Sequence, residues 1–141
     1  MLFRSFGIDR SFSAISVAKK TQKGNLDYFV SDLLSDVFGK TKFDLILALN
    51  VLELVEPKDL LKHISQQISK GMLLLSDPYD FERGKNSVKK PLDESVLRTS
   101  LEEFEFTIAV KTKTPSYLTW NLKLNPRSTL NYKVDLIIAK K

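Results

Sequence analysis

Two apolar segments of the chain end on polar side chains that are suited to binding a ligand. Asn50 ends the run LILAL, and Asp77-Pro78-Tyr79 ends the run MLLLS. Ligands of open α/β sheets bind at the carboxyl ends of parallel strands, where amide, carboxylate and hydroxyl groups offer hydrogen bonds. The pattern favours Asn50 as a cofactor or substrate contact. It also allows Asp77 and Tyr79 to face a substrate, without favouring this over a simple strand stop at Pro78. The alternative is that Asn50 and Pro78 only terminate their strands.

Other reactive residue types form no recognisable catalytic pattern. Glu53 and Glu56 flank the loop after the first of these segments, where acids are also common at the start of a helix. His63, the single histidine, falls on the polar face of a predicted helix, so we interpret it as a surface residue. Tyr117 and Trp120 either cover a substrate pocket or pack under a long connection. With no cysteine, one histidine and no cluster of carboxylates, the sequence predicts no metal site.

A strand–helix–strand unit over residues 43–79 positions these residues. The continuous apolar run at residues 45–49 predicts a strand that is buried on both faces. Pro57 suits the first turn of a helix whose apolar residues recur at helical spacing, and Gly71 suits its C-terminal stop. A second apolar strand follows at residues 72–75. Such a unit predicts two parallel strands joined by a right-handed crossover.

Strands and helices also alternate before this unit. Residues 2–8 predict a short strand, and Ser11 is placed to cap a helix that ends near Lys20. Residues 28–30 predict a second strand, followed by a connection to Gly39. This alternation favours an α/β domain with a mainly parallel sheet.

The pattern changes after Pro78. Residues 80–91 are polar and predict a mobile loop. A helix is predicted from Asp93 to about Phe104, followed by a strand at residues 106–110. The predicted long connection at residues 113–131 leads to a final strand at residues 132–139. Two strands in succession predict an antiparallel pair at one edge of the sheet.

Length and composition define the general class of protein. The 141 residues suit a single domain over residues 1–141, with 43% hydrophobic and 28% charged residues. The net charge of +5 comes from lysines that alternate with acids, which favours a solvated surface over a nucleic-acid partner. No apolar run has the length of a membrane span, and the first residues carry no signal-peptide pattern. The absence of cysteine is compatible with a cytoplasmic protein.

Four segments, taken in order, resemble the class I S-adenosylmethionine-dependent methyltransferases. GIDRS (residues 7–11) is similar to the acidic end of that family's second strand, and VSDLL (residues 30–34) to the aspartate after its third. FDLILALNVLELV (residues 43–55) resembles the fourth strand and its loop, and GMLLLSDPY (residues 71–79) the fifth strand. The resemblance implies a Rossmann-like, mainly parallel sheet with flanking helices and an antiparallel C-terminal strand pair.

The resemblance also implies roles for individual residues. Asp9 would accept hydrogen bonds from the two ribose hydroxyls of S-adenosylmethionine, and Asp32, with Leu33 beside it, would contact the adenine. Asn50 would hold the cofactor through its backbone or orient the substrate. The local alternatives are that Asp9 caps the following helix and that Asp32 is a turn residue.

The family's first strand and its glycine-rich loop have no counterpart in this sequence, which resembles the family only from the second strand onward. That loop brings backbone N–H groups to the methionine part of the cofactor. We therefore expect a domain truncated at its N-terminus that binds S-adenosylmethionine weakly or not at all. One hypothesis is an enzyme fragment that another chain completes, which predicts a homo-oligomer or a partner chain. The alternative is a non-catalytic protein-interaction module on a degenerate methyltransferase fold.

Overall fold

The computed structural model describes residues 3–141, whose contacts group into two compact units. Unit 1 runs up to Gly39 and unit 2 starts at Lys40. The prediction of a single domain over residues 1–141 stays a prediction.

Unit 1 is a parallel strand pair with one helix. It comprises β1 (Ser5–Asp9), α1 (Phe12–Lys20) and β2 (Leu26–Val30). β1 and β2 pair in parallel, in a register that places Asp9 opposite Val30. The Oγ of Ser11 accepts a hydrogen bond from the N–H of Ala14, so the predicted cap of α1 is confirmed. Leu2, the first residue of the predicted strand, lies outside the described residues.

Unit 2 contains the remaining strands and helices. In chain order these are β3 (Leu45–Leu49), α2 (Pro57–Gln67), β4 (Met72–Asp77), α3 (Phe81–Gly84), α4 (Glu94–Glu103), β5 (Thr107–Ile108), a 3-10 turn (Val110–Thr112), β6 (Tyr117–Asn125) and β7 (Ser128–Lys140). Between residues 3 and 141, no helix combines the length and hydrophobicity needed to cross a membrane.

The sheet of unit 2 is mixed, with strand order β3-β4-β7-β5. β3 and β4 pair in parallel, as predicted, and β7 runs antiparallel to β4. β5 and β6 both pair antiparallel with β7, so the predicted antiparallel arrangement near the C-terminus is confirmed. The carboxyl ends of β3 and β4 therefore lie at the same edge of the sheet.

The core of unit 2 lies between this sheet and the helices α2 and α4. Fully buried side chains come from both helices and from the facing sides of β4 and β7: Leu61, Leu97, Leu101, Leu73, Leu75 and Ile137. The prediction that β3 is buried on both faces is wrong. Leu45, Leu47 and Leu49 are 53%, 58% and 49% exposed, whereas Ala48 is buried. Since successive side chains of a strand point to opposite faces, β3 has one buried and one half-exposed face.

Gly71 does not stop α2, contrary to the sequence prediction. The helix ends at Gln67, and Ile68 is already extended because its side chain is buried in the core. A glycine is instead required at position 71 because the backbone there lies close to the backbone of residues 43 and 44. A Cβ atom there would lie 2.7 Å from the carbonyl oxygen of Asp44 and 2.8 Å from that of Phe43.

Three predictions after Pro78 also need correction. The predicted loop at residues 80–91 contains α3, whose first turn is capped by Asp80. The predicted strand at residues 106–110 has only two strand residues, because a 3-10 turn begins at Val110. The predicted connection at residues 113–131 is mostly strand, since β6 and the first part of β7 form a hairpin.

Candidate functional site

Asn50 and Asp77 lie at the carboxyl ends of the neighbouring parallel strands β3 and β4. Asn50 is joined to Ser76 twice: its N–H donates to the Ser76 carbonyl oxygen at 2.8 Å, and its Oδ1 accepts from Ser76 Oγ at 2.9 Å. Asn50 has φ +55° and Tyr79 has φ +53°. This left-handed conformation is costly for a tyrosine, and such strain is concentrated at functional sites. The roles of Asn50, Asp77 and Tyr79 as ligand contacts remain predictions.

The side chain of Tyr79 is half-buried and hydrogen-bonded within unit 2. Its Oη donates to Asp135 Oδ2 at 2.7 Å, and its backbone N–H donates to Asp77 Oδ2 at 3.2 Å. Burial raises the pKa of Tyr79, and the hydrogen bond to Asp135 raises it further. The hydroxyl predicted to face a substrate is thus a neutral donor to a buried carboxylate.

Asp135 and Arg98 form a buried ion pair behind Tyr79. Arg98 Nη1 and Nη2 donate to the two carboxylate oxygens of Asp135 at 2.7 and 3.1 Å, and the N–H of Ser116 donates to Oδ1 at 3.0 Å. Burial alone would raise the pKa of Asp135, but the hydrogen bonds from Arg98, Ser116 and Tyr79 lower it overall. The pair fixes β7 to α4 in a bidentate geometry.

Sequence reasoning missed this pair, although a signal was present. Asp135 interrupts the apolar run of the last strand, and Arg98 follows an apolar residue on α4. Charged residues within apolar segments are seldom buried unless they are paired. The acid within the last strand therefore indicates a buried, paired carboxylate, whereas the mostly polar sequence of α4 does not single out Arg98 as its partner.

A small cavity lies beside Asp77, between α2, α3 and the loop after β3. Its volume is about 20 Å³, and Glu53, Asp77 and Asp80 contribute carboxylates to its wall. Glu53 is 6% and Asp77 is 3% exposed. Burial raises the pKa of Asp77 to about 7, against a smaller lowering by the N–H of Tyr79. Burial likewise raises the pKa of Glu53, and the nearby Arg83 opposes this rise.

α3 closes this cavity on one side. Asp80 Oδ1 accepts from the N–H of Arg83 at 3.1 Å, and Asp80 Oδ2 accepts from Tyr132 Oη at 2.9 Å. Arg83 Nη1 lies 2.6 Å from Glu53 Oε1. Gly84 allows the close approach, because a Cβ atom there would lie 2.5 Å from the carbonyl oxygen of Glu53.

The other predicted cofactor contacts belong to unit 1. Asp9 is the last residue of β1 and Asp32 lies two residues after β2, and both residues are exposed. Asp9 Oδ1 accepts from the N–H of Ser11 at 2.7 Å, and Asp32 Oδ1 accepts from the N–H of Leu34 at 2.9 Å. Asp32 Oδ2 also lies 3.6 Å from Arg10 Nε. Leu33 is half-buried next to Asp32. Asp32 is thus a turn residue, whereas Asp9 accepts the N–H of Ser11 and Ser11 is the residue that caps α1.

The remaining candidates have partners elsewhere. His63 contacts Gln67 on its own helix, with 3.2 Å between the two Nε2 atoms. Tyr117 Oη donates to Glu94 Oε1 at 2.8 Å. Trp120 stacks on Tyr132 across the β6–β7 hairpin, with 5.1 Å between the ring centroids. Within residues 3–141, no group of three His, Cys, Asp or Glu side chains is placed to hold a metal ion.

Comparison with known proteins identifies the family. The family described as "Methyltransferase domain" matches residues 1–75, more than half of the chain. The chain belongs to this family of methyltransferase domains, and its α/β fold is the Rossmann-like fold of S-adenosylmethionine-dependent methyltransferases. No curated protein matches the sequence.

Solved structures agree in fold at low sequence identity. A structure from work on disulfide-to-thioacetal conversion in echinomycin biosynthesis has a TM-score of 0.73 at 14% identity, covering 99% of this chain and 66% of that chain. The N-methyltransferase NodS from Bradyrhizobium japonicum has a TM-score of 0.68 at 16% identity, covering 98% of this chain and 73% of that chain. NodS has also been solved with S-adenosyl-L-homocysteine.

Partner chains occur among these relatives. A complex of the Haloferax volcanii Trm112 methyltransferase activator with a methyltransferase matches with a TM-score of 0.70 at 13% identity, covering 97% of this chain and 71% of that chain. The chain therefore spans about two thirds to three quarters of the length of these three structures.

Proposed function

We propose that the chain is an S-adenosylmethionine-dependent methyltransferase-like protein that binds its cofactor weakly or not at all when isolated. The observation that carries this proposal is the pair of exposed carboxylates at the ends of β1 and β2, in a chain of the methyltransferase-domain family. Since one oxygen of Asp9 accepts the Ser11 N–H, its second oxygen is suited to a ribose hydroxyl. Asp32 and Leu33 would contact the adenine. Asn50 stays a predicted contact of the cofactor or the substrate.

The residues present fit the nucleoside half of the cofactor better than its methionine half. The five glycines of the sequence are scattered, and none forms a glycine-rich loop. Such a loop gives backbone N–H groups to an anionic ligand group at a helix start. When bound, the cofactor would supply an electrophilic methyl group. Asp9 and Asp32 would orient its nucleoside.

The expected loss of affinity is large. Each charge-assisted hydrogen bond contributes about 1.5–3 kcal/mol to binding. A change of roughly 1.4 kcal/mol in binding free energy changes the affinity tenfold. The absence of several loop contacts would therefore weaken a micromolar site to the millimolar range.

Isothermal titration of the 141-residue chain with S-adenosylmethionine and S-adenosylhomocysteine tests this proposal. We expect weak or no binding, and a sub-micromolar dissociation constant would overturn it in favour of a complete cofactor site. Where binding is measurable, Asp9→Ala should weaken it more than the matched control His63→Ala. An equal effect of both substitutions would mean that the nucleoside site lies elsewhere.

We also propose that the chain assembles with a partner chain, and that this partner is a second copy. The half-exposed leucines of β3 support an interface, and they equally support the second candidate function, a non-catalytic interaction module. Cofactor binding in the assembled state, measured by the same titration, distinguishes the two. A cytoplasmic location and the absence of a nucleic-acid partner stay predictions from composition.

A further inference from the structure

The cavity beside Asp77 has carboxylate oxygens that lack hydrogen-bond donors. Among the described residues, Asp77 Oδ1 and both carboxylate oxygens of Glu53 are buried without a hydrogen-bond partner. Glu53 Oε1 is close to Arg83 Nη1, so its charge is balanced although the hydrogen-bond geometry is poor. Glu53 Oε2 and Asp77 Oδ1 therefore remain unpaired. Buried polar atoms are rarely left in this state, and each one needs an explanation.

The neighbouring charged side chains do not balance the negative charge of the carboxylates in this cavity. Both oxygens of Asp80 already accept hydrogen bonds, from the Arg83 N–H and from Tyr132 Oη. Arg83 is the cation paired with Glu53, while Arg98 is engaged by Asp135. Above pH 7, where Asp77 is mostly ionised, the carboxylates outnumber the cation that faces them. A cationic occupant with N–H donors would satisfy both the charge and the unpaired oxygens.

The size and walls of the cavity restrict the occupant further. A volume of about 20 Å³ exceeds the roughly 10–15 Å³ that one water molecule needs, so the cavity admits an ammonium head with its first carbon and nothing larger. Pro57, Val88 and Leu92 give the cavity apolar walls, which suit the carbon atoms attached to a charged group. No cluster of three potential ligands within residues 3–141 suits a metal ion, so a compact organic cation fits better than a metal.

We propose that this cavity binds the primary ammonium group of an amine, through Asp77 Oδ1 and Glu53 Oε2. The ammonium head donates to the two oxygens, and the attached carbon lies against the apolar walls. The site is complete within unit 2 and needs no S-adenosylmethionine. Its existence is therefore independent of the proposed cofactor binding.

Methylammonium chloride is the probe for this site. The full chain is titrated at pH 8, where Asp77 is mostly ionised because its pKa is about 7. The readout is the NMR chemical shift of the side-chain carboxyl carbons of Asp77 and Glu53. We expect saturable shifts with a millimolar dissociation constant, since a ligand with two heavy atoms has a low affinity ceiling. Tetramethylammonium, which is larger and has no N–H donor, should give no saturable shift.

Variants separate the two carboxylates from general charge effects. Asp77→Asn and Glu53→Gln should each weaken methylammonium binding by about tenfold or more, as expected for the loss of a charge-assisted hydrogen bond. The matched control is Glu82→Gln on α3, whose side chain is 86% exposed and which should leave the dissociation constant within about twofold. If Asp77→Asn fails to fold, Glu53→Gln and the tetramethylammonium titration still decide the question. The absence of saturable shifts, or equal binding of both ammonium ions, would overturn the proposal and leave water as the occupant.

Discussion

At the scale of single residues, the Arg98–Asp135 ion pair is the most strongly constrained contact of unit 2. The Arg98 side chain is 10% and the Asp135 side chain 0% exposed. Removal of one partner of a buried pair leaves an uncompensated charge and typically costs about 3–5 kcal/mol. We therefore expect Arg98→Met to lower the free energy of unfolding in urea by that amount.

An exposed ion pair provides the control for this prediction. Lys58 Nζ lies 3.1 Å from Glu103 Oε2, and both side chains are more than half exposed. Lys58→Met should cost less than about 1 kcal/mol, because water screens the pair and the side chains lose entropy in forming it. Similar losses for the two substitutions would show that the Arg98–Asp135 pair contributes no more than a surface contact.

Asp77 should make the stability of the chain depend on pH in the direction opposite to most acids. Its pKa rises from 3.8 to about 7 because it is buried, so the folded chain holds this proton more tightly than the unfolded chain. The contribution of Asp77 to stability is thus largest below pH 4 and is lost as the pH rises towards 7, at up to about 1.4 kcal/mol for each pH unit. The charged or titratable groups around it are Glu53, Asp80, Arg83, Tyr79, Asp135 and Arg98.

Urea unfolding at several pH values checks this effect. The side chain of Asp77→Asn cannot ionise, so the variant lacks this pH dependence. From pH 4.5 to pH 7.5 the unfolding free energy of the wild type should therefore fall relative to that of the variant. A difference that does not vary with pH would contradict the raised pKa. The comparison cancels contributions from other acids, including Asp135, whose lowered pKa stabilises the fold until the pH falls below about 4.

Individual site residues were predictable from the sequence only where a polar residue ends an apolar run that forms a strand. Asn50 and Asp77 follow apolar runs, and the structure places both at the same edge of the sheet. The internal hydrogen bond of Tyr79 was not predictable, because its partner Asp135 is 56 residues away in the sequence. Glu53 was noted only as a loop acid. Its burial depends on α3, which the sequence did not indicate.

At the scale of elements, Gly71 determines how α2 is connected to β4. Because a Cβ atom would lie within 2.8 Å of two backbone carbonyl oxygens, Gly71→Ala must displace the chain before β3. We expect a loss of about 1–3 kcal/mol in unfolding free energy, the usual cost of overpacking.

Lys70→Ala is the control for Gly71, since it changes the neighbouring exposed residue. Its effect should stay within about 0.5 kcal/mol, as for most surface substitutions. A neutral Gly71→Ala would mean that the backbone relaxes without cost at this position.

Most strands and helices were predictable, and the exceptions have a physical reason. α1, α2 and α4 begin at residues whose types favour helix starts, and β3 and β4 are short apolar runs. β6 was missed because tertiary pairing decides its conformation. It is mostly exposed, and it lies between Pro115 and Pro126, which read as turn residues in the sequence.

At the scale of the whole molecule, the exposed leucines of β3 lead us to expect that the chain self-associates. Among the described residues β3 pairs only with β4, and its leucines at positions 45, 47 and 49 are about half exposed. An unpaired apolar strand is a template for another chain, and symmetric dimers are the commonest oligomers. Light scattering coupled to size exclusion should therefore give twice the mass of the chain at tens of micromolar.

A substitution at this strand tests which surface is responsible. Leu47→Lys places a charge on the exposed face of β3 and should yield a monomer. Val110→Lys changes a side chain that is 82% exposed elsewhere and should leave the dimer intact. A wild-type chain with strictly monomeric mass would contradict self-association through this surface.

The β6–β7 hairpin has a consequence for optical measurements on this chain. Trp120 is the sole tryptophan, and it stacks on Tyr132 in a part of β7 that, within residues 3–141, pairs only with β6. A two-stranded ribbon is only marginally stable on its own, so this part of the hairpin should open before the core does. We expect tryptophan emission to change at lower urea concentrations than far-UV circular dichroism, and coincident curves would contradict this. Intrinsic fluorescence would then report on the hairpin tip and not on global unfolding or on ligand binding at Asp9.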